Sequence, residues 1–276
     1  MVDYLLQFGP EVHFFAFILG STRIGVFVAL APFMGGSVVT GTARAALVMA
    51  LYLVLHPAML AQVPSLTPLT GETMALCIGL LTKEVFLGAV LGWLSGQVFW
   101  AIESAGFFID NQRGAGQATE TDPLTGEQTS PTGSFLFQSA AYVFFATGIF
   151  VSFLGILYST YLFWPAGELL PATFFRNQAA ALFFGECLAR LATNMVLISA
   201  PVVLACLFTD MALGLVNRFA SQLNVYVLAM PIKCALSSFL LILYFAVLMT
   251  DAPERFAWFG ADVDTLKAFI GLGETP

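Results

Sequence analysis

The chain has 276 residues, of which 59% are apolar and only 10% are charged, and its mean hydropathy is +0.88. A soluble domain carries about 25% charged residues, so an ordinary soluble fold is excluded, while 28 Phe and 24 Gly fit an integral-membrane chain. A formal net charge of −7 without any basic cluster excludes a phosphate-binding footprint and, with it, nucleic acid as a partner.

Apolar runs follow one another at roughly 12–34, 45–63, 74–102, 134–163, 179–216 and 223–250. A spanning helix takes about 20 apolar residues, so the prediction is an all-α, polytopic membrane protein with about six hydrophobic segments. Asp3 and Glu11 precede the first run with no basic residue beside them, unlike a cleavable signal peptide. The first span is therefore expected to target the chain. The third, fourth and fifth runs exceed one crossing, so each is read as two shorter helices or as one helix extended beyond the membrane. Pro32, Pro57, Pro201 and Pro231 lie in or at the ends of runs, where they are expected to kink or break a helix. The organisation is one helical domain over 1–250, with a polar loop at 103–133, followed by a short acidic tail at 251–276.

Seven ionisable residues fall within the apolar runs: Arg23, Lys83, Glu84, Glu186, Arg190, Asp210 and Lys233. Each costs about 2.5–3.5 kcal/mol at the centre of a lone membrane helix, so each needs a partner. Glu186 and Arg190 are spaced i,i+4 and can form an ion pair on one helix face. Lys83 and Glu84 are adjacent and point about 100° apart, which predicts separate partners for the two. One reading is internal pairing within a single bundle, and the other, favoured one is packing against other subunits. In the third run, Gly88, Gly92 and Gly96 form a G-x-x-x-G-x-x-x-G stripe, extended by Glu84 and Trp100, against which another helix backbone can approach closely. The stripe does not say whether that helix is intramolecular or a partner's.

Between 103 and 133 the chain turns polar and rich in Gly, Pro, Ser and Thr, which predicts a loop rather than a helix. A loop this long is usually functional or disordered. It opens on an apolar wedge, Phe107, Phe108 and Ile109, followed directly by Asp110, Asn111, Gln112 and Arg113. A contact between Asp110 and Arg113 would brace that turn. The remainder, from Thr119 to Thr132, reads as a solvated connector. The stretch 210–233, DMALGLVNRFASQLNVYVLAMPIK, places Asp210, Arg218, Gln222, Asn224, Pro231 and Lys233 between long apolar runs. Hydrocarbon tolerates such groups only where protein or water satisfies them, so this segment is expected to meet protein, with a helix break near Asn217–Asn224. Val263, Leu266, Phe269 and Ile270 could line one face of a short amphipathic helix in the tail.

That last stretch resembles the signature D-x-A-L-G-…-R-…-Q-L-N-V-…-P-x-K of the flagellar FliR and type III secretion SctT family. Gly106-Phe-Phe-Ile-Asp110-Asn-Gln-Arg113-Gly resembles the G-x-x-I-D-N-Q-R-G block of its secretion branch, and Ser221 stands where flagellar members usually have Pro. The resemblance runs from about residue 12 to about 250. It implies a structural subunit of the export gate of the bacterial inner membrane, within a helical hetero-oligomer lifted partly out of the bilayer plane. The implied partners are SctR-like and SctS-like subunits, an SctU-like switch protein and the unfolded proteins being exported. Residues 106–117 would help to plug the pore, and the 210–233 block with the glycine stripe would pack against neighbouring subunits.

A different class of function is a small-molecule or ion transporter using Lys83, Glu84 or Asp210 as a proton relay. No internal repeat of the kind common in transporters is visible. The chain carries no nucleophile elbow, nucleotide loop or metalloprotease motif, which predicts neither an enzyme nor a cofactor. Cys77, Cys187, Cys206 and Cys234 fall in apolar runs without C-x-x-C spacing and read as small buried residues. His13 and His56 stand isolated, without metal-site spacing. Six spans put Arg176, Arg255 and Lys267 on one side and Arg44, Arg113 and Arg218 on the other, so the positive-inside rule is silent on orientation.

Overall fold

The computed structural model describes residues 8–35, 41–63, 70–114, 130–170, 174, 178–219 and 225–269. Its helices are α1 (Pro10–Leu30), α2 (Gly41–Leu60), α3 (Gly71–Gln112), α4 (Pro131–Ala146), α5 (Ile149–Phe163), α6 (Gln178–Phe219), α7 (Val225–Phe256) and α8 (Trp258–Phe269). No strand occurs among the described residues. Among the described residues, five helical stretches are long and apolar enough to cross a membrane, and the α4–α5 pair makes a sixth if its two halves count as one span. The fold is all-α and polytopic.

The long runs resolve in two ways. The third and fifth become single helices of 42 residues each, α3 and α6, about 63 Å long at 1.5 Å per residue. The fourth breaks at Thr147–Gly148, where Gly148 takes φ +76°, a conformation that costs glycine alone nothing. Pro32 follows the end of α1, but Pro57, Pro201 and Pro231 do not break their helices: α2, α6 and α7 continue through them. Such residues are tolerated inside apolar helices whose neighbours re-satisfy the freed backbone groups.

The polar stretch expected as a loop from 103 is helical to Gln112, and helix resumes at Pro131. Ala101, Ile102, Ala105, Gly106, Ile109 and Asp110 are all buried, so the 3.6-residue periodicity of α3 outlasts its hydropathy. Low average hydropathy concealed a helix face that is still in contact with protein. Residues 115–129 lie outside the described residues.

The chain divides into two compact units. The first comprises residues 1–96, 150–184 and 258–276. Its core is built on α1, whose buried residues Ala16, Leu19, Gly20, Arg23, Ile24, Phe27 and Val28 form one helical stripe. Gly20 lies against the Tyr52 ring of α2, and Tyr161 of α5 donates to the Gly20 carbonyl at 2.8 Å. Phe33 packs edge-on to Phe27 and Phe153, and Phe153 stacks on Phe259 of α8 at 4.4 Å. α8 thus covers α5 with an apolar face containing Phe259, Val263 and Leu266, all buried.

The second unit comprises residues 97–149 and 185–257. Phe99 of α3, Phe144 of α4 and Phe256 of α7 meet pairwise at 4.9–5.3 Å. Ile109 of α3 joins Val202 and Cys206 of α6 in a second buried cluster, flanked by Leu240 and Tyr244 of α7.

Candidate functional site

A buried charge cluster anchors the first unit. Arg23 of α1 grips Glu84 of α3 with both ends of its guanidinium, Nε to Oε2 at 2.6 Å and Nη2 to Oε1 at 2.9 Å. Neither side chain has any exposed surface. The remaining Arg23 donors reach Thr160 Oγ1 at 3.0 Å and the Trp164 carbonyl at 2.9 Å, and the guanidinium lies 4.0 Å from the Tyr161 ring centre. Lys83 Nζ also meets Glu84, at 2.6 Å, and donates to the Pro165 and Ala166 carbonyls. Adjacent Lys83 and Glu84 were expected to seek different partners, and they converge instead. A flexible four-carbon stem lets the ammonium fold back across the angle between the two Cβ directions. The carbonyls it caps belong to the turn after α5, so the cluster staples that turn to α3.

The second unit brings together the two motif blocks that stand about a hundred residues apart in sequence. At the C-terminal end of α3, Asp110 pairs with Arg113 at 2.6 Å and accepts from the Ser130 hydroxyl and, at 3.0 Å, from the Thr132 N–H. Arg113 Nη2 donates to Thr132 Oγ1 at 2.9 Å. Ser130 also caps α4 by accepting from Gly133 N–H at 2.9 Å. One carboxylate therefore ties the last turn of α3 to the first turn of α4. The backbones touch just beneath it: a Cβ on Gly106 would stand 2.4 Å from the Gly133 Cα. α7 reaches the same place. Lys233 pairs with Asp210 of α6 at 2.5 Å and directs Nζ toward the Gln112 carbonyl at 3.4 Å, where a cation complements a helix C-terminus. Gly114, at φ +82°, ends α3 against Met230.

Asp110, Gln112, Arg113, Asp210 and Lys233 thus share one clamp. Phe107 projects outward from this end of α3 with 45% of its surface exposed, whereas Ile109 is buried in the unit core. Phe108 is half-buried and Asn111 exposed. The expected apolar wedge is therefore not a loop and does not act as one face, because helical spacing sends Ile109 inward. Sequence reading missed Ser130, Thr132 and Met230. The Ser130-Pro131 step, a cap residue followed by Pro at the first helical position, is the signal that marks the start of α4.

The glycine stripe settles on the intramolecular alternative. A Cβ on Gly88 would stand 2.7 Å from the Arg23 carbonyl oxygen, and one on Gly92 would stand 2.9 Å from Leu30 Cβ. α1 of the same chain lies in that groove, which corrects the assignment of Gly88 and Gly92 to contacts between subunits. Gly96 is buried on the same row. Arg23, Lys83, Glu84, Asp210 and Lys233, all in apolar runs, pair within the chain. Glu186 is exposed, and Arg190 directs Nη2 to Cys187 Sγ at 3.6 Å. Pro231 and Arg218 are exposed, and Gln222 and Asn224 lie outside the described residues.

The profile of the family "Bacterial export proteins, family 1" matches residues 14–257. The chain belongs to this SctT/FliR family. Among its relatives, the Yop proteins translocation protein T of Yersinia pestis is 40% identical over 66% of this chain and 67% of its own length. The surface presentation of antigens protein SpaR of Salmonella typhimurium is 31% identical over 92% of both chains. The flagellar biosynthetic protein FliR of Bacillus subtilis is 29% identical over 69% of this chain and 73% of its own length. Residues 106–112 and the described residues of 210–233 lie on the helices that build the clamp.

Proposed function

We propose that this SctT/FliR-family chain is a structural and gating subunit of a type III secretion export gate in the bacterial inner membrane. The observation that carries the reading is the clamp. Asp110, Arg113, Ser130 and Thr132 hold the end of α3, which presents Phe107, against α4, while Asp210 and Lys233 fix α7 to the same end. An apolar side chain held at a constriction blocks ions by excluding water, and Phe107 has the size and position on its helix for that task. The names of the Yersinia and Salmonella relatives support the virulence-type branch. Helices α3 and α6, at about 63 Å, exceed a hydrocarbon core of about 30 Å. That excess length fits helices that extend beyond the bilayer, and in the proposed assembly SctR-like, SctS-like and SctU-like subunits surround the chain.

Exposed Phe208, Met211, Leu215, Phe219 and Val227 at the facing ends of α6 and α7 support a partner surface around the 210–233 block. The test is membrane conductance in cells making the whole complex. Phe107→Ala with Phe108→Ala is expected to leave the complex assembled and leaking small ions, and an assembled variant as tight as the parent would end the plug assignment. The transporter reading fares worse. Glu84 is locked bidentately to Arg23, and Asp210 is engaged by Lys233, leaving neither carboxylate free to pass protons along.

A further inference from the structure

Helix α4 carries no charged residue, and Gln138 is its single amide. The hydroxyls around it are satisfied locally. Ser139 and, just beyond the helix, Thr147 donate back to the Phe135 and Val143 carbonyls at 2.8 and 2.7 Å. Gln138 is exposed, and its amide has no hydrogen-bond partner among the described residues. Phe135, Gln138, Tyr142 and Phe145 recur at intervals of three and four residues, which puts them on one helix face, and all four are exposed. Beside that face runs α7 of the same unit. The Phe135 and Phe245 rings lie 5.3 Å apart and those of Phe144 and Phe256 5.1 Å apart, so the two helices run in the same direction. A cleft of about 450 Å³ opens between them, lined by Phe135, Gln138, Tyr142 and Val143 of α4 and by Phe245 and Met249 of α7. From Phe135 to Tyr142 it follows about 10 Å of helix, two turns.

We infer that this cleft seats an apolar helix of a different membrane subunit, one that brings a hydrogen-bonding side chain to Gln138. The inference rests on the export-gate reading, which supplies such subunits. An acyl chain of a lipid would fit the apolar walls, and the amide decides against it. Gln offers two donors and an acceptor. Hydrocarbon answers none of them, so an amide facing lipid forfeits the hydrogen bonds it made in water. A neighbouring helix with Ser, Thr, Asn or Gln at the facing position restores them, as polar side chains do between packed membrane helices. Tyr142, 75% exposed, presents its hydroxyl one turn further along the same row and gives the incoming helix a second polar contact. The rings of Phe135 and Phe145 at the two ends of the row supply the apolar packing.

The photoreactive residue benzoylphenylalanine, placed at Tyr142 of the full chain in its co-expressed complex, identifies the occupant. Irradiation is expected to join it to an apolar segment of a different subunit, mapped by mass spectrometry. An adduct with lipid alone, an adduct with a second copy of this chain, or no adduct in a complex that has assembled would overturn the inference and leave the export-gate reading standing. If the parent chain forms no complex with SctR-like and SctS-like subunits, both fall. Gln138→Leu reads the amide separately, at an exposed position where folding does not depend on it. The amount of chain retained in the complex after a detergent challenge is expected to fall about threefold, the weight of one hydrogen bond between membrane helices. Against lipid the same substitution only removes an unsatisfied amide, so retention equal to the parent's or higher would overturn the inference.

Discussion

Glu84 shows how much one side chain can hold. Its carboxylate neutralises Arg23 and meets Lys83 inside the first unit, with no surface of its own exposed. Glu84→Gln is expected to destabilise the chain by about 3–5 kcal/mol, because two buried cations lose their shared anion. Thermal unfolding of the purified complex checks this. Replacing Arg23 and Glu84 together by Leu is expected to cost less than Glu84→Gln alone, since removing both partners leaves a smaller uncompensated charge. Asp110 plays the corresponding part in the second unit, where Ser130, Thr132 and Arg113 converge on it. The sequence showed Glu84 as a charge inside an apolar run and Asp110 inside a polar stretch, where a contact with nearby Arg113 was expected to brace the turn. Arg23 as partner to Glu84 was not legible there, because 61 residues separate them and no local pattern encodes a contact at that distance.

At the scale of elements, glycine placement decides which helices touch. Gly106→Ala puts a methyl group 2.4 Å from the Gly133 Cα, a backbone atom that no rotamer change can move. Forcing α3 and α4 apart is expected to cost about 1–3 kcal/mol and to loosen the clamp, measured as faster proteolysis near residues 103–133. Gly155→Ala on α5 meets nothing within 4 Å. It is expected to be neutral or to stabilise by about 0.5–1 kcal/mol, which makes it the matched control. Gly92→Leu tests internal packing: it is expected to disrupt α1 against α3 within the co-expressed complex, read as faster proteolysis of α1. Ser130→Ala removes both the α4 cap and a ligand of Asp110, at an expected cost of about 1 kcal/mol from the cap alone.

For the whole molecule, the exposed apolar surface is the main fact. Tyr142, Phe208, Phe219 and Ile242 are each 64–89% exposed, and water cannot be the medium around so many such side chains. Lipid and partner subunits divide that surface in the proposed assembly. The chain is therefore expected to purify in a particle well above its own 29.7 kDa when SctR-like and SctS-like subunits are co-expressed, and to aggregate when made alone. A monodisperse, well-folded monomer in detergent would count against the export-gate reading. Assembly that survives Glu84→Gln unchanged would show that partner contacts, rather than the internal cluster, dominate stability.

Composition and hydropathy alone determined the all-α membrane class and the hydrophobic segments, because burial in hydrocarbon constrains every span in the same local way, while the two signature blocks were legible only through their resemblance to the SctT/FliR family. Glycine spacing also located the close approach at Gly88 and Gly92, since a missing side chain can be read directly from the chain. Three things required the tertiary structure. It supplied the helix that fills the glycine stripe, α1 of the same chain. It supplied the extension of α3 to Gln112, whose buried face is hidden by polar neighbours on the other side. And it supplied the meeting of Lys233 with the Gln112 carbonyl at the end of α3, and of His13 with His56. Each depends on which distant helix lies alongside, and that is settled by packing among several helices at once rather than by any window of sequence.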